Sequence, residues 1–405
     1  MNTTESQRRV PAIRVLWLAA VAGVTAILVA CGGGGGDGAA TVTPASTGTT
    51  FSAPISGFGS VILNGVRIDD SAATVTLDDD NANGKDADLK LGMVIEVEGE
   101  RDNGAKTGKA SSIAGRSFVQ GPISAINVAG NQLTVLGVVV TVTPGTVFDG
   151  ANVSGLGSLA LNGTVEIHGI PNATGSTLKA TRVERIPATS EVRLTGTVQG
   201  AAAGTFTLNG ITVQDPSVSL VNLPNGVTNG MLVRVKGTLT NPTTIVASKV
   251  RQVRLTPVLT EGRRLELEGV VTKLTSATDF EVNGVKVSVP ATAATQGTPV
   301  LGARVEVEGT VVNGTLVASK VEVKNEAQEQ DDAHELHGPI ASLDKTQQTF
   351  TLRNGTIVVK WDSNTVFDNG SLPRRADDLV LGLKVQVKGK VTGNVVLATR
   401  IELDK

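Results

Sequence analysis

One cysteine, no tyrosine and three histidines stand in a chain of 405 residues. A single cysteine cannot form an internal disulfide, so the fold must rest on its core. Aromatic residues make up only 2% of the chain. Sites that stack single-stranded nucleic acid or sugars use aromatic platforms, and here Trp361 and scattered Phe would have to supply them. Basic charge is also short. Setting aside Arg8, Arg9, Arg14 and Glu5 leaves 33 basic against 37 acidic residues beyond residue 30, a net charge near −4. No positive field draws the chain to nucleic acid or an anionic membrane face, so nucleic acid is not an expected partner. Hydrolytic chemistry finds no constellation, since a triad would have to recruit one of three histidines. No helical period runs through the chain beyond residue 30, so an all-β fold is expected.

What is present begins at the N-terminus. Three arginines precede an apolar run from Val15 to Ala30, about 16 residues and short for a span that needs roughly 20. A charged start, a short apolar core and a small-residue end describe an export signal. The run closes Leu28-Val29-Ala30-Cys31, which resembles the bacterial lipoprotein signal. The resemblance implies cleavage before Cys31 and lipid on its thiol. With Gly32 rather than Asp next, it implies release to the outer membrane, facing the periplasm or the cell surface. The membrane is then a partner through lipid alone, and thiol redox chemistry is excluded. Residues 32–36 are all glycine and a Thr/Ala/Ser stretch follows. Such a segment cannot offset its ordering entropy, so 31–50 reads as a flexible tether.

Beyond the tether the chain repeats itself. A strand bracketed by glycines recurs at Gly92–Gly99, Gly163–Gly169, Gly230–Gly237, Gly302–Gly309 and Gly382–Gly389. The closing glycines are 70, 68, 72 and 80 residues apart. Apolar and charged residues alternate within it, as in Val94-Ile95-Glu96-Val97-Glu98, the pattern of a half-buried strand. The glycines read as bulges and tight barrel corners. Upstream lies a hairpin turned by Asn64-Gly65, Asn209-Gly210, Asn283-Gly284 or Asn354-Gly355, with Leu136-Gly137 in the second copy. Asn-Gly tolerates the positive φ of a type I′ turn. Downstream lies a last strand such as Ala180-Thr181-Arg182-Val183 or Ala318-Ser319-Lys320-Val321.

Each copy therefore holds about five strands in 60–70 residues, and an open sheet of that size leaves costly edges. The expectation is about five tandem small five-stranded OB-like barrels, with the usual helix before the fourth strand reduced to a loop. An SH3-like barrel or short sandwich is the alternative. The copies are placed at 51–116, 117–187, 190–256, 264–325 and 337–405, after a signal at 1–30 and the tether at 31–50, with a polar linker at 326–336. The order Gly-Pro-Ile-Ser, Asn-Gly hairpin, Leu-x-Leu-Gly-Met-x-Val-Glu-Val-Glu-Gly and Ala-Ser-Lys-Val resembles a bacterial repeat domain of unknown function. That domain occurs in tandem in envelope lipoproteins beginning Cys-Gly-Gly-Gly-Gly. The resemblance covers most of 51–405 and implies no catalytic residues.

Three candidate sites stand out. From Asp79 the first copy reads Asp-x-Asn-x-Asn-Gly, the first half of a calcium loop. Asp79, Asn81, Asn83 and Asp86 would be the ligands, but Lys90 stands where the bidentate Glu belongs. A solvated acidic loop is the other reading, and no other cofactor is expected. His334-Glu335-Leu336-His337 spaces its histidines three apart rather than the four of a zinc-protease helix, and so reads as part of the linker. Glu96/Glu98 and Glu306/Glu308 are replaced by Arg234/Lys236 and Lys384/Lys388 in other copies, which predicts solvated outer faces.

The expected function is a non-enzymatic, lipid-anchored scaffold or interaction protein of the bacterial cell envelope, with an envelope protein or the cell wall as partner. Variable outer faces on repeated barrels suit reach and multivalent contact. A periplasmic ligand- or cation-binding lipoprotein is the alternative.

Overall fold

A computed structural model describes residues 48–78, 81–84, 88–102, 106–215, 219–324, 334–352, 357–367, 375–392 and 395–404. The signal, Cys31 and the tether up to residue 47 lie outside them, as do Asp79 and Asp86. The last tether residues, Thr49 and Thr50, are already buried in the first strand.

The first barrel shows the plan. Its strands are Thr49–Phe58, Val61–Leu63, Val66–Asp69, Val94–Arg101 and Thr107–Gly115. Strands one, two and three form an antiparallel meander. Strand three then lies parallel to strand five. Strand four pairs antiparallel with strand five and with strand one, closing the ring. The order 1-2-3-5-4-1 with one parallel contact is that of an OB-like barrel, and it removes the SH3-like alternative, whose neighbours are all antiparallel. The second barrel closes in the same order. So does the fourth. In the third and fifth, strand one is split, into Glu191–Thr197 with Gln199–Ala202 and His334–Pro339 with Ser342–Asp344. The expected helix is indeed reduced. A short strand parallel to strand five stands there, as at Thr74–Leu77 and Val147–Asp149, with one 3-10 turn at Leu156–Ser158 and another at Ala376–Asp378.

The two bracketing glycines have separate reasons. At each closing glycine the register with strand five slips by one residue. A Cβ there would come within 2.1–2.4 Å of a carbonyl oxygen on strand five, from Lys109 for Gly99 to Leu397 for Gly389. That is a bulge at a tight corner. The opening glycine is instead a left-handed residue, with φ of 77° at Gly92 and 80° at Gly302. In the second copy Asn162, at φ 63°, takes this place rather than Gly163, because Asn is the side chain that best tolerates it.

The barrels are not beads on a string. Thr49–Ser52 pairs in parallel with Arg264–Leu267 of the fourth barrel. Gly57 and Phe58 pair with Glu335 and Leu336 of the fifth. Arg193 and Leu194 of the third pair with Gln120 and Val119 of the second. A first strand longer than its second leaves part of one edge open, and a neighbouring first strand covers it. Barrels two and three share one apolar cluster, barrels one and five share another that Val147 of barrel two joins, and barrel four has its own. Leu136, the departure from Asn-Gly, is buried in the shared cluster of two and three. Reach is therefore not what the repetition provides; long-range strand pairing draws the copies together.

Candidate functional site

The outer faces are where sequence and structure part. Glu306, expected in water, is 1% exposed. Glu266, Glu268, Arg182 and Arg234 are buried too. Each lies on a strand whose valines or leucines fill a barrel, so its side chain points out of that barrel and into the gap beside a neighbour.

Between barrels one and four, Arg101 Nη1 donates to Glu266 Oε2 at 2.7 Å and to Glu308 Oε2 at 2.8 Å. Lys320 Nζ reaches Glu306 at 2.8 Å, Glu322 at 3.2 Å and Glu308 at 3.3 Å. Lys324 reaches Glu322 at 2.8 Å and Glu306 at 2.9 Å. Arg304 pairs with Glu268. Burial pushes the Glu266 carboxyl up to about 8, against the pull of Arg101 and with the help of Glu308 and Glu306. Burial likewise raises Glu268. For Lys320 burial works the other way, yet the bonds to Glu306 and Glu322 hold it above its ordinary value. Among the described residues, Glu266, Glu306 and Glu308 bring carboxylate oxygens within 4.8 Å of one another, as a metal site would. Here Arg101 and Lys320 supply the positive charge that such a cluster needs.

A pH dependence follows. The folded chain keeps a proton on Glu266 that an unfolded carboxyl, at 4.5, has lost. This contribution to stability is complete below that value and disappears as pH rises through about 8. The melting temperature should therefore fall as pH rises from about 4.5 to about 8, and E266Q should fall less, by several degrees. Equal falls in the two proteins would show that Glu266 does not titrate there.

Between barrels one, two and three, Asp78 is the anchor. It accepts from the Ser117 backbone N–H at 2.9 Å and from Arg234, and Arg193 lies 3.6 Å away. Burial opposes its charge, but Arg234 and Arg193 hold its carboxyl below the usual range. Asp78, the acid just before the loop read from Asp79, is thus spent on a neighbouring barrel. Of the proposed ligands, Asn81 and Asn83 fall in a short strand, Asn81–Gly84, antiparallel to Thr74–Leu77, and Asp79 and Asp86 are outside the described residues.

The histidines of the expected linker belong to barrel five. Its first strand begins at His334 because Leu336 fills a core position and the edge pairs with Gly57 and Phe58. His334 donates through Nδ1 to the Ser56 carbonyl at 3.1 Å. His337 reaches Asp404 at 2.8 Å through Nδ1 and Glu335 at 3.0 Å through Nε2. Burial works against its charge, yet those two bonds raise its pKa. The third histidine, His168, lies 3.3 Å from Glu166.

Five segments, 50–114, 120–184, 195–251, 268–322 and 337–402, match the family described as Domain of unknown function (DUF5666). The chain belongs to that family. Each DUF5666 segment coincides with one of the five barrels. No curated protein sequence matches the chain. Among solved structures, a chain described as drosophila Unr CSD456 is 13% identical, with 52% of this chain and 97% of that chain covered and a TM-score of 0.13. At that score the likeness carries no argument.

The DUF5666 barrels also form an open cleft of about 380 Å³, lined by Glu268, Arg304, Glu306, Lys324, His334 and Glu335 among others. Its size is at the lower end for a ligand site, which is usually mostly apolar. Here the charged lining is largely paired within itself. Sequence reasoning misses Arg101, Arg182, Glu266 and Glu268 and places Arg234 in solvent, where the structure buries it. The one available signal was that outward charges differ in sign between copies, as paired faces require.

Proposed function

We propose that this chain is a non-enzymatic, lipid-anchored protein of the bacterial cell envelope, whose packed barrels present contact surface to an envelope protein or cell-wall partner. The observation that carries the non-enzymatic reading is how the reactive side chains are used. Both ring nitrogens of His337 face carboxylates, which leaves neither to take a proton from a nucleophile. Arg101 with Glu266 and Arg234 with Asp78 pair buried charges across barrel boundaries, so they join domains instead of converging on a substrate. The lipid anchor is supported by the run ending at Cys31.

Cys31→Ser tests the anchor. The unaltered chain should take up labelled fatty acid and sediment with membranes, and the variant should do neither. Full acyl labelling in the variant would remove the anchor from the proposal. Retention of an envelope partner by the unaltered protein, measured by pulldown from envelope extract, tests the interaction role, and turnover of a defined substrate would replace it.

A further inference from the structure

One contact between repeats is made once inside the chain, and its two halves occur again uncovered. The turn before strand four of barrel one, Leu89-Lys90-Leu91-Gly92, is a tip that seats on barrel two. Thr181 Oγ1 donates to the Gly92 carbonyl at 2.6 Å, Arg182 Nη1 to the Leu91 carbonyl at 3.0 Å, and Lys90 Nζ lies 2.5 Å from Glu184. The fit needs the glycine. A Cβ on residue 92 would sit 2.4 Å from the Thr181 carbonyl oxygen. Leu91 is 7% exposed. Leu91 shares an apolar cluster with Val147, which barrel five residues such as Val385 also join, and Val147 pairs in parallel with Arg182 on the barrel-two surface.

Barrel five repeats that surface. Val366-Phe367 pairs in parallel with Arg400-Ile401, and Ala398-Thr399-Arg400-Ile401-Glu402 reproduces Ala180-Thr181-Arg182-Val183-Glu184. The ion pair from Arg to the Glu two residues on is reproduced as well. The difference is cover. Val147 is 2% exposed and Val366 is 48% exposed. Thr399 and Arg400 are exposed. The hydroxyl at this position also reports occupancy. In barrels one, three, four and five it donates to its own barrel, to the carbonyls of Glu98, Lys236, Glu308 and Lys388 at 2.9–3.2 Å. Only Thr181, under a seated tip, turns to the neighbour.

Barrel five carries the matching tip too. Leu379-Val380-Leu381-Gly382 keeps the Leu-x-Leu-Gly order, Gly382 has φ 79°, and a Cβ there would meet nothing within 4 Å. Leu381 is 66% exposed. The corresponding turn of barrel two ends Leu161-Asn162, and the Cβ of Asn162 would strike the surface that Gly92 clears. Barrel three offers Asn229 in place of the leucine, and barrel four, whose Leu301 is exposed too, has Pro299 where the tip begins with Leu89 or Leu379.

We propose that the surface of Val366, Thr399 and Arg400 takes the Val380-Leu381-Gly382 tip of a second copy of this chain, repeating in trans the contact of barrels one and two. Docking turns Thr399 Oγ1 from Lys388 to the Gly382 carbonyl of the partner copy. This goes beyond the envelope reading and does not depend on the lipid anchor.

The test uses full-length chain with Cys31→Ser in two differently tagged forms, one carrying Leu381→Cys and the other Thr399→Cys, treated with a short bis-maleimide. A mixed cross-linked species is expected, with none when Val128→Cys, another exposed position elsewhere, replaces Leu381→Cys. Leu381→Asp should halve the apparent mass in solution with an unchanged thermal melt. A monomeric unaltered chain at tens of micromolar, or cross-linking no greater than through V128C, would overturn the proposal. Cross-linking through Leu301→Cys and not Leu381→Cys would overturn the choice of tip.

Discussion

Gly309→Ala should destabilise the fourth barrel by roughly 3 kcal/mol or more, an overpacking cost at the upper end for one added methyl. The new Cβ would lie 2.3 Å from the Val317 carbonyl oxygen and 2.9 Å from Leu316 Cδ1. The first of these is backbone, on the strand that pairs with Gly309 across the bulge, so it cannot swing aside as a side chain could. Gly302→Ala is the comparison. Gly302 has φ 80° and open space where its Cβ would be, so only the left-handed backbone is penalised, at about 1–2 kcal/mol. Barrel four has an apolar cluster of its own, so urea unfolding followed by hydrogen exchange should resolve its loss from the rest. If G309A costs no more than G302A, close approach is not the reason for the closing glycine. The same comparison applies to Gly237 and Gly230, whose environments match.

Arg182→Met should cost about 3–5 kcal/mol, the usual result of removing one partner from a buried ion pair. Arg182 is buried and holds Asp149, Glu184 at 2.9 Å and the Leu91 carbonyl at 3.0 Å. Burial opposes the charge on Asp149 and Glu184, and Arg182 more than compensates, so both pKa values lie below their ordinary range. In the unaltered chain these carboxylates contribute stability that is present above pH 4.5 and lost as pH falls through their lowered values. Without Arg182 the burial remains and the compensation does not. Protonation then relieves the site, so R182M should gain stability between about pH 7 and 5 relative to the unaltered chain. Adding Asp149→Asn and Glu184→Gln should recover part of the loss at neutral pH. Limited proteolysis near Leu91 should increase in R182M, because the tip loses its seat. A loss below about 1 kcal/mol with no pH trend would show that water solvates the two carboxylates.

The barrel could be read from the chain residue by residue. Val94-Ile95-Glu96-Val97 alternates as its burial does, and Asn64, Asn209 and Asn283 take the positive φ that their Asn-Gly turns require. These features are local: two-residue periodicity and turn chemistry act within a few residues. The first strand of barrel five extends back from residue 337 into His334-Glu335-Leu336, a stretch that looks polar in the sequence. Only pairing with Gly57 and Phe58, some 280 residues earlier in the chain, makes it a strand. That pairing had one trace, the Gly57-Phe58-Gly59 stretch unique to the first copy. A Cβ on Gly57 would lie 1.9 Å from the Glu335 carbonyl oxygen.

The candidate site was legible only as a set of charges. An outward residue such as Glu306, Arg234 or Arg182 sits on the same strand pattern whether it meets water or another barrel. Alternation tells inside from outside, and says nothing about what covers the outside. By itself, then, the amino-acid sequence determined five small barrel repeats, their corners and their hairpins, since each depends on neighbours within one repeat. Only the tertiary structure decided that Arg101 bridges Glu266 and Glu308, that Asp78 belongs to Arg234 and that the first barrel pairs with the fourth and fifth. Those contacts join residues more than 150 positions apart, and they form because open strand edges and unpaired charges are costly wherever the packed barrels exclude water.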